Sequence, residues 1–178
     1  MDNHLKETLL DSVPIFAGKF IKLRVDSVVL PNGEKTTREV VEHPGAVAIL
    51  PVLPDQKIIL VKQYRHAAGE VTWEIPAGKL EAKEEPALCA ERELEEETGY
   101  RTTELIKVTA FFTAPGFTDE VIHLYIAQGL EQTTQKTDHD EFIDVSVVSH
   151  AKALEMIKLG VIKDAKSIIG ILMARDYL

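Results

Sequence analysis

The chain has 178 residues, 45% hydrophobic and 28% charged, the composition of an ordinary globule with one core and little room for a second. Twenty basic against 29 acidic side chains leave a net charge of −9, which repels polyphosphate backbones and argues against nucleic acid as a partner. With Cys89 as the single cysteine, a polar stretch at residues 1–7 and no apolar run near the ~20 residues of a membrane helix, the expected setting is the cytoplasm, away from disulfides and bilayers.

In chain order, residues 20–30 alternate apolar Ile21, Leu23 and Val25 with polar Lys22, Arg24 and Asp26, which predicts a strand. Pro31-Asn32-Gly33 predicts a turn and residues 36–42 a returning strand. This hairpin defines an N-terminal arm over 1–43, ahead of a main domain over 44–178. Apolar runs at 46–53 and 57–63 predict two strands about a Pro54-Asp55 turn, and 71–75 a short one closed by Pro76. A helix starts near Glu85, with Pro86 in its first turn, and ends at Gly99, a residue suited to a left-handed cap. Its apolar face is expected at Ala87, Ala90 and Leu94. Residues 105–112, 121–127 and 142–148 predict further strands. Two closing helices follow at about 149–159 and 164–177, capped by Ser149 and Asp164. Many strands with few helices give an α+β chain built on a mixed sheet.

The chemistry concentrates in residues 78–100, GKLEAKEEPALCAERELEEETGY. On the expected helix Glu93, Glu96 and Glu97 stand at i, i+3 and i+4, three carboxylates on one face. Like charges so placed cost a few tenths of a kcal/mol per pair, and the C-terminal end of the dipole disfavours them further. A bound divalent cation removes both penalties, and clustered carboxylate oxygens suit magnesium or manganese better than zinc. Arg92, four residues before Glu96, is placed to brace that carboxylate. Gly78 ends a tight Ile75-Pro76-Ala77-Gly78 loop and is expected to take a backbone conformation that other residues resist.

The segment resembles the Nudix hydrolase signature, G-x5-E-x7-R-E-U-x-E-E-x-G-U with U a bulky apolar residue. Gly78, Glu84, Arg92, Glu93, Leu94, Glu96, Glu97 and Gly99 match in register; Tyr100 departs mildly by putting an aromatic in the last position. Outside it, Glu74-Ile75-Pro76-Ala77-Gly78 and Pro115 in Thr113-Ala114-Pro115-Gly116-Phe117 resemble the ADP-ribose pyrophosphatase subgroup. The resemblance implies an α/β/α sandwich and metal-dependent hydrolysis of a nucleoside diphosphate sugar, ADP-ribose plus water giving AMP and ribose 5-phosphate. It implies Glu93 and Glu97 as principal metal ligands, Glu96 joining or bracing them, the Ala77 carbonyl completing the site, and Mg2+ or Mn2+ as the ion. A glutamate before the last strand assists in that subgroup; Glu141 is the candidate, with Asp138 and Asp140 in the same acidic run.

The softer expectations concern substrate. Arg65 and Arg38 are candidates to pair with phosphates or stack on adenine. Phe20 offers a stacking face or a core side chain, Glu120 a ribose contact or a plain surface charge, and Glu74 opens the run before the signature. Trp73 is expected in the core. The subgroup implies a homodimer whose arms are exchanged, so that Arg38 and Phe20 serve the partner's substrate. The alternatives are the same chemistry on another nucleoside diphosphate derivative and a silent nucleotide-binding regulatory domain.

Overall fold

The computed structural model describes residues 2–178, which form two compact units, one up to residue 45 with 112–121, and the other 46–111 with 122–178. In the first unit β1 (Thr8–Ala17), β2 (Lys22–Val29) and β3 (Lys35–Glu42) make an antiparallel sheet in the order β1-β2-β3. The expected hairpin is β2–β3, registered from Lys22 opposite Glu42 to Val29 opposite Lys35. The reading from sequence did not assign β1. Its alternation is broken by Asp11, Ser12 and Pro14, and its register with β2 shifts twice, between Leu9 and Asp11 and between Pro14 and Phe16. An edge strand tolerates that proline, because one side of its ladder needs no donor. Residues 112–121 add to this unit through Val41 N–H, which donates to the Phe117 carbonyl at 2.8 Å.

The second unit is built on a mixed sheet in the order β10-β5-β4-β9-β8. Its strands are β4 (Ala46–Leu53), β5 (Lys57–Arg65), β6 (Glu70–Glu74) beside β5, β7 (Ala77–Lys79) beside β4, β8 (Tyr100–Phe112), β9 (Val121–Gln132) and β10 (Ile143–Ser149). β4 lies parallel to β9, with Ala46 opposite Ile122 and Pro51 opposite Ala127, and antiparallel to β5. Strand periodicity splits β4 between two cores. Ala46, Ala48, Leu50 and Val52 join the cluster that packs Ala153, Met156, Ile171 and Ala174 of the C-terminal helical segment. Val47 and Ile49 join Cys89, Ala90 and Leu94 on the opposite side. A strand covered on both faces needs apolar residues throughout, which is why AVAILPVL does not alternate.

The layers above and below are α1 (Pro86–Thr98) on one face and α2 (His150–Lys158) with α3 (Ala165–Met173) on the other. The arrangement is the expected α+β sandwich with helices on both sides of a mixed sheet. Ser149 Oγ accepts from the Lys152 N–H and an Asp164 carboxylate oxygen from the Ser167 N–H, caps worth about 1 kcal/mol each. Ala87 corrects one expectation: it is exposed, and the buried apolar face of α1 is Cys89, Ala90 and Leu94. Trp73 packs partly buried against the larger core, with Lys62 Nζ 5.2 Å from its ring centroid. Among the described residues no helix is long and apolar enough to cross a membrane.

Candidate active site

Two segments of the second unit meet at the site: the C-terminal half of α1, and the turn from β6 through Ile75 and Pro76 into β7. α1 is terminated as its sequence dictates. Gly99 takes φ +70° and its N–H closes on the Glu95 carbonyl at 2.9 Å. The β6–β7 turn is fixed by backbone pairing, since Ile49 N–H donates to the Pro76 carbonyl and Ala77 lies opposite Ala48. Ala77 N–H donates to Glu97 Oε2 at 3.1 Å, which ties the turn to the helix.

Gly78 revises the reason for its glycine. Its backbone is not left-handed; a Cβ there would overlap the Glu93 carboxylate. The glycine makes room for an acid to come close to the main chain.

Arg92 organises the acids around it. Nε and Nη2 donate to the two oxygens of Glu84 at 2.9 and 3.0 Å, while Nη1 reaches Glu93 at 2.8 Å and Glu96 at 2.9 Å. Arg92 hydrogen bonding holds Glu84 at about 2, and the surrounding carboxylates raise the guanidinium above its usual range. Burial raises Glu93 despite Arg92, with the charges of Glu96 and Glu141 adding to the shift. Glu97 is the extreme case. It is 3% exposed, and burial together with the charges of Glu93 and Glu141 pushes it up to about 8 against the Ala77 N–H and the charge of Arg65. Glu141 therefore acts on both helix carboxylates from the segment before β10. Cys89, fully buried beneath them, donates to the Lys79 carbonyl, and burial and the adjacent Glu84 push its thiol up to about 12.

Among the described residues no three carboxylate, imidazole or thiol groups stand grouped around one metal position; Glu93 and Glu96 are both turned onto Arg92. The donor set nonetheless fits a hard divalent cation. It offers carboxylates crowded enough to keep one of them protonated at neutral pH, and a glycine that leaves main chain open beside Glu93.

Arg65 and Glu74 meet each other on adjacent strands, Nε to Oε1 at 2.8 Å and Nη2 to Oε2 at 2.7 Å. Thr72 Oγ1 and Lys166 Nζ also donate to Glu74. Burial alone would raise this carboxyl, but Arg65 and Lys166 outweigh it and hold Glu74 at about 2. The reading from sequence missed Lys166 and Ser167. Asp164 accepts from both, and Ile75 N–H donates to Ser167 Oγ at 2.8 Å, so the α3 N-terminus grips the β6–β7 turn at Ile75. The sequence signal was the Asp164 cap; its partner 92 residues away was not legible.

The remaining candidates lie in the first unit. Arg38 forks onto Glu7 at 2.5 and 3.1 Å. Phe20 is half exposed and edge-on to His43, ring centroids 6.0 Å apart. Glu120 accepts from Thr113 Oγ1 at 2.7 Å and lies 3.4 Å from His43 Nδ1.

The mixed sheet between helices thus carries an acid-rich helix end against a glycine turn, a donor set of the kind that suits a hard divalent cation. Residues 42–168 match the NUDIX domain and residues 7–41 match the nucleoside diphosphate sugar hydrolase N-terminal domain. The chain belongs to the Nudix family, whose hydrolases generally need a divalent metal. It is 47% identical over 169 residues to the ADP-ribose pyrophosphatase of Bacillus subtilis (strain 168), covering 94% of this chain and 91% of that one. It is 44% identical over 173 residues to the methanol dehydrogenase activator of Bacillus methanolicus, covering 96% and 94%. The ADP-ribose pyrophosphatase of Mycobacterium tuberculosis (strain ATCC 25618 / H37Rv) is 39% identical over 175 residues, 97% and 84% of the two chains. A crystal structure of an ADP compounds hydrolase shares the fold, with a TM-score of 0.86 at 20% identity over 97% of this chain and 94% of that one.

Proposed function

We propose that this chain hydrolyses the diphosphate bridge of ADP-ribose to AMP and ribose 5-phosphate, with magnesium as the working ion and manganese able to replace it. The observation that carries this reading is the 47% identity to an ADP-ribose pyrophosphatase over 94% of this chain, joined to the buried Glu97 beside Glu93 on the signature helix. Glu93, Glu96, Glu97 and the Ala77 carbonyl are the groups to hold the cation. When bound, a divalent ion neutralises the diphosphate and acidifies the attacking water. Arg92 keeps Glu93 and Glu96 oriented as they exchange its hydrogen bonds for other partners. Glu141 takes the proton as water oxygen bonds to phosphorus and the bridging P–O bond breaks, the electron pair leaving with the departing phosphate. Arg65, seated on Glu74, presents its remaining edge to the substrate phosphates.

The arm completes the proposal. All ten residues of β1 are exposed, Leu9, Leu10, Val13, Ile15 and Phe16 among them, more apolar surface than a lone strand keeps in water. We assign it to a homodimer in which Phe20 and Arg38 serve the partner's substrate, with Glu120 a candidate ribose contact. Leu9→Glu with Val13→Glu yields a monomer in sedimentation and weakens ADP-ribose binding; an unaffected dimer removes the arm from the interface. The single thiol, buried and un-ionised, suits a reducing compartment, and we place the protein in the cytoplasm.

The test is AMP release from ADP-ribose, ADP-glucose, a dinucleoside polyphosphate and a nucleoside triphosphate, each with magnesium and with chelator. Metal-dependent turnover of ADP-ribose above the rest is expected. Preference for another of the four discards the substrate assignment and keeps the chemistry. Nucleotide binding without turnover moves the chain to a regulatory role, the kind named for the Bacillus methanolicus relative.

A further inference from the structure

Residues 133–142 run from the end of β9 to the start of β10 and carry Glu141. Apolar packing does not hold them: Phe142 is 84% exposed, and Asp138, His139 and Asp140 are exposed as well. What holds them is the open end of α1. A helix leaves its last carbonyls without partners of its own, and here this segment supplies them. Lys136 N–H donates to the Glu96 carbonyl at 3.0 Å and Thr133 N–H to the Gly99 carbonyl at 2.7 Å. Gln135 Nε2 donates to the Glu97 carbonyl at 2.7 Å. The same amide also donates to the Ile143 carbonyl at 3.2 Å, the first residue of β10. One side chain thus joins both ends of the stretch 136–142. Inside that stretch Glu141 N–H donates to the Asp138 carbonyl at 3.0 Å, and Thr137 Oγ1 to the Glu141 carbonyl at 3.2 Å, which turns the backbone at the acid.

Gly99 belongs to the same device. Beyond its left-handed φ, a Cβ there would stand 2.8 Å from the Gln135 nitrogen, so its glycine lets the segment pass close over the helix end.

We propose that Gln135 is a positioning residue, whose amide fastens the Glu97 carbonyl of α1 to the Ile143 carbonyl of β10 and so holds Glu141 over the carboxylate face of the helix. This rests on the assignment of Glu141 above. Gln135 touches neither substrate nor cation; its contribution is the reach of another residue. Both of its donors are spent on main chain, so an apolar side chain of equal length removes the tie without emptying any core.

The experiment is a four-member set, the parent with Gln135→Met, Glu141→Gln and both together, assayed for kcat and KM on ADP-ribose with magnesium. Amide exchange over residues 137–142 and thermal melting are followed alongside. Gln135→Met lowers kcat by about tenfold, the scale of misplacing a catalytic group. KM and melting temperature stay put, exchange over 137–142 quickens, and the double variant is no slower than Glu141→Gln alone. Losses that multiply in the double variant, or an unchanged kcat for Gln135→Met, overturn the positioning role while leaving Glu141 assigned. Full activity for Glu141→Gln overturns the Glu141 assignment, and the role of Gln135 with it.

Discussion

Glu74 and Glu97 are buried to the same degree, 2% and 3% exposed, yet one sits at about 2 and the other at about 8. Burial raises both; company decides the outcome. Glu74 receives Arg65, Lys166 and Thr72, three donors of which two are cations. Glu97 receives one main-chain N–H, only the more distant charge of Arg65, and the charges of two further acids. A carboxylate whose charge is compensated by its own chain is part of the framework. One left largely uncompensated at similar depth still has a charge to be met, which is what the proposed role of Glu97 as a cation ligand requires.

Exchanging the two carboxylates for amides separates these roles. Glu97→Gln has the largest effect on activity, a loss on the order of 10²–10³ in kcat. The same change makes the metal-free protein melt higher at pH 8, because it deletes a charge the fold penalises. A lower melting point would place Glu97 in the framework beside Glu74. Glu74→Gln acts the other way. It leaves Arg65 without its counter-charge and Lys166 with Asp164 alone, and costs about 2–3 kcal/mol in denaturant unfolding, with or without metal.

The two shifts also give opposite pH dependences in the metal-free state. Glu97 is raised, so its folded form holds a proton that the unfolded chain releases, and stability falls as pH climbs from about 4.5 to about 8. Glu74 is depressed, so its contribution of about 3 kcal/mol is complete above the unfolded value near 4.5 and is lost as pH drops toward 2. Melting curves across pH should therefore peak in mildly acidic solution without metal, and saturating magnesium should abolish the alkaline decline alone. The smallest effect is expected from Lys166→Met. It removes one of two cations from Glu74, costs about 1–2 kcal/mol, and moves the acid-side decline to higher pH.

The signature helix was legible because its determinants are local. Pro86, Gly99, the i, i+3, i+4 acids and the Leu94 face all lie within one stretch of chain, and β4 was legible from its unbroken apolar run. β1 was hidden by Asp11, Ser12 and Pro14, which an edge strand accepts at little cost. β7 was read as a loop because three residues pair with β4 at a point where no periodicity can develop. Arg92 was placed behind Glu96 correctly, but its fork onto Glu84 depends on how the segment 79–85 folds back, which spacing alone does not state. Lys166, Ser167 and Gln135 were invisible for a common reason. Each earns its place through partners brought near by tertiary structure, and each is a commonplace surface residue in sequence.

The Cys89 thiol, with no exposed surface and held near 12, is almost entirely un-ionised at neutral pH and closed to reagents. For spectroscopy the chain is therefore chemically blank toward maleimides while folded. A cysteine introduced at exposed His139 becomes its one reactive handle, so a fluorophore there would report movement of the Glu141 segment from a single attachment point, with no need to replace the native thiol.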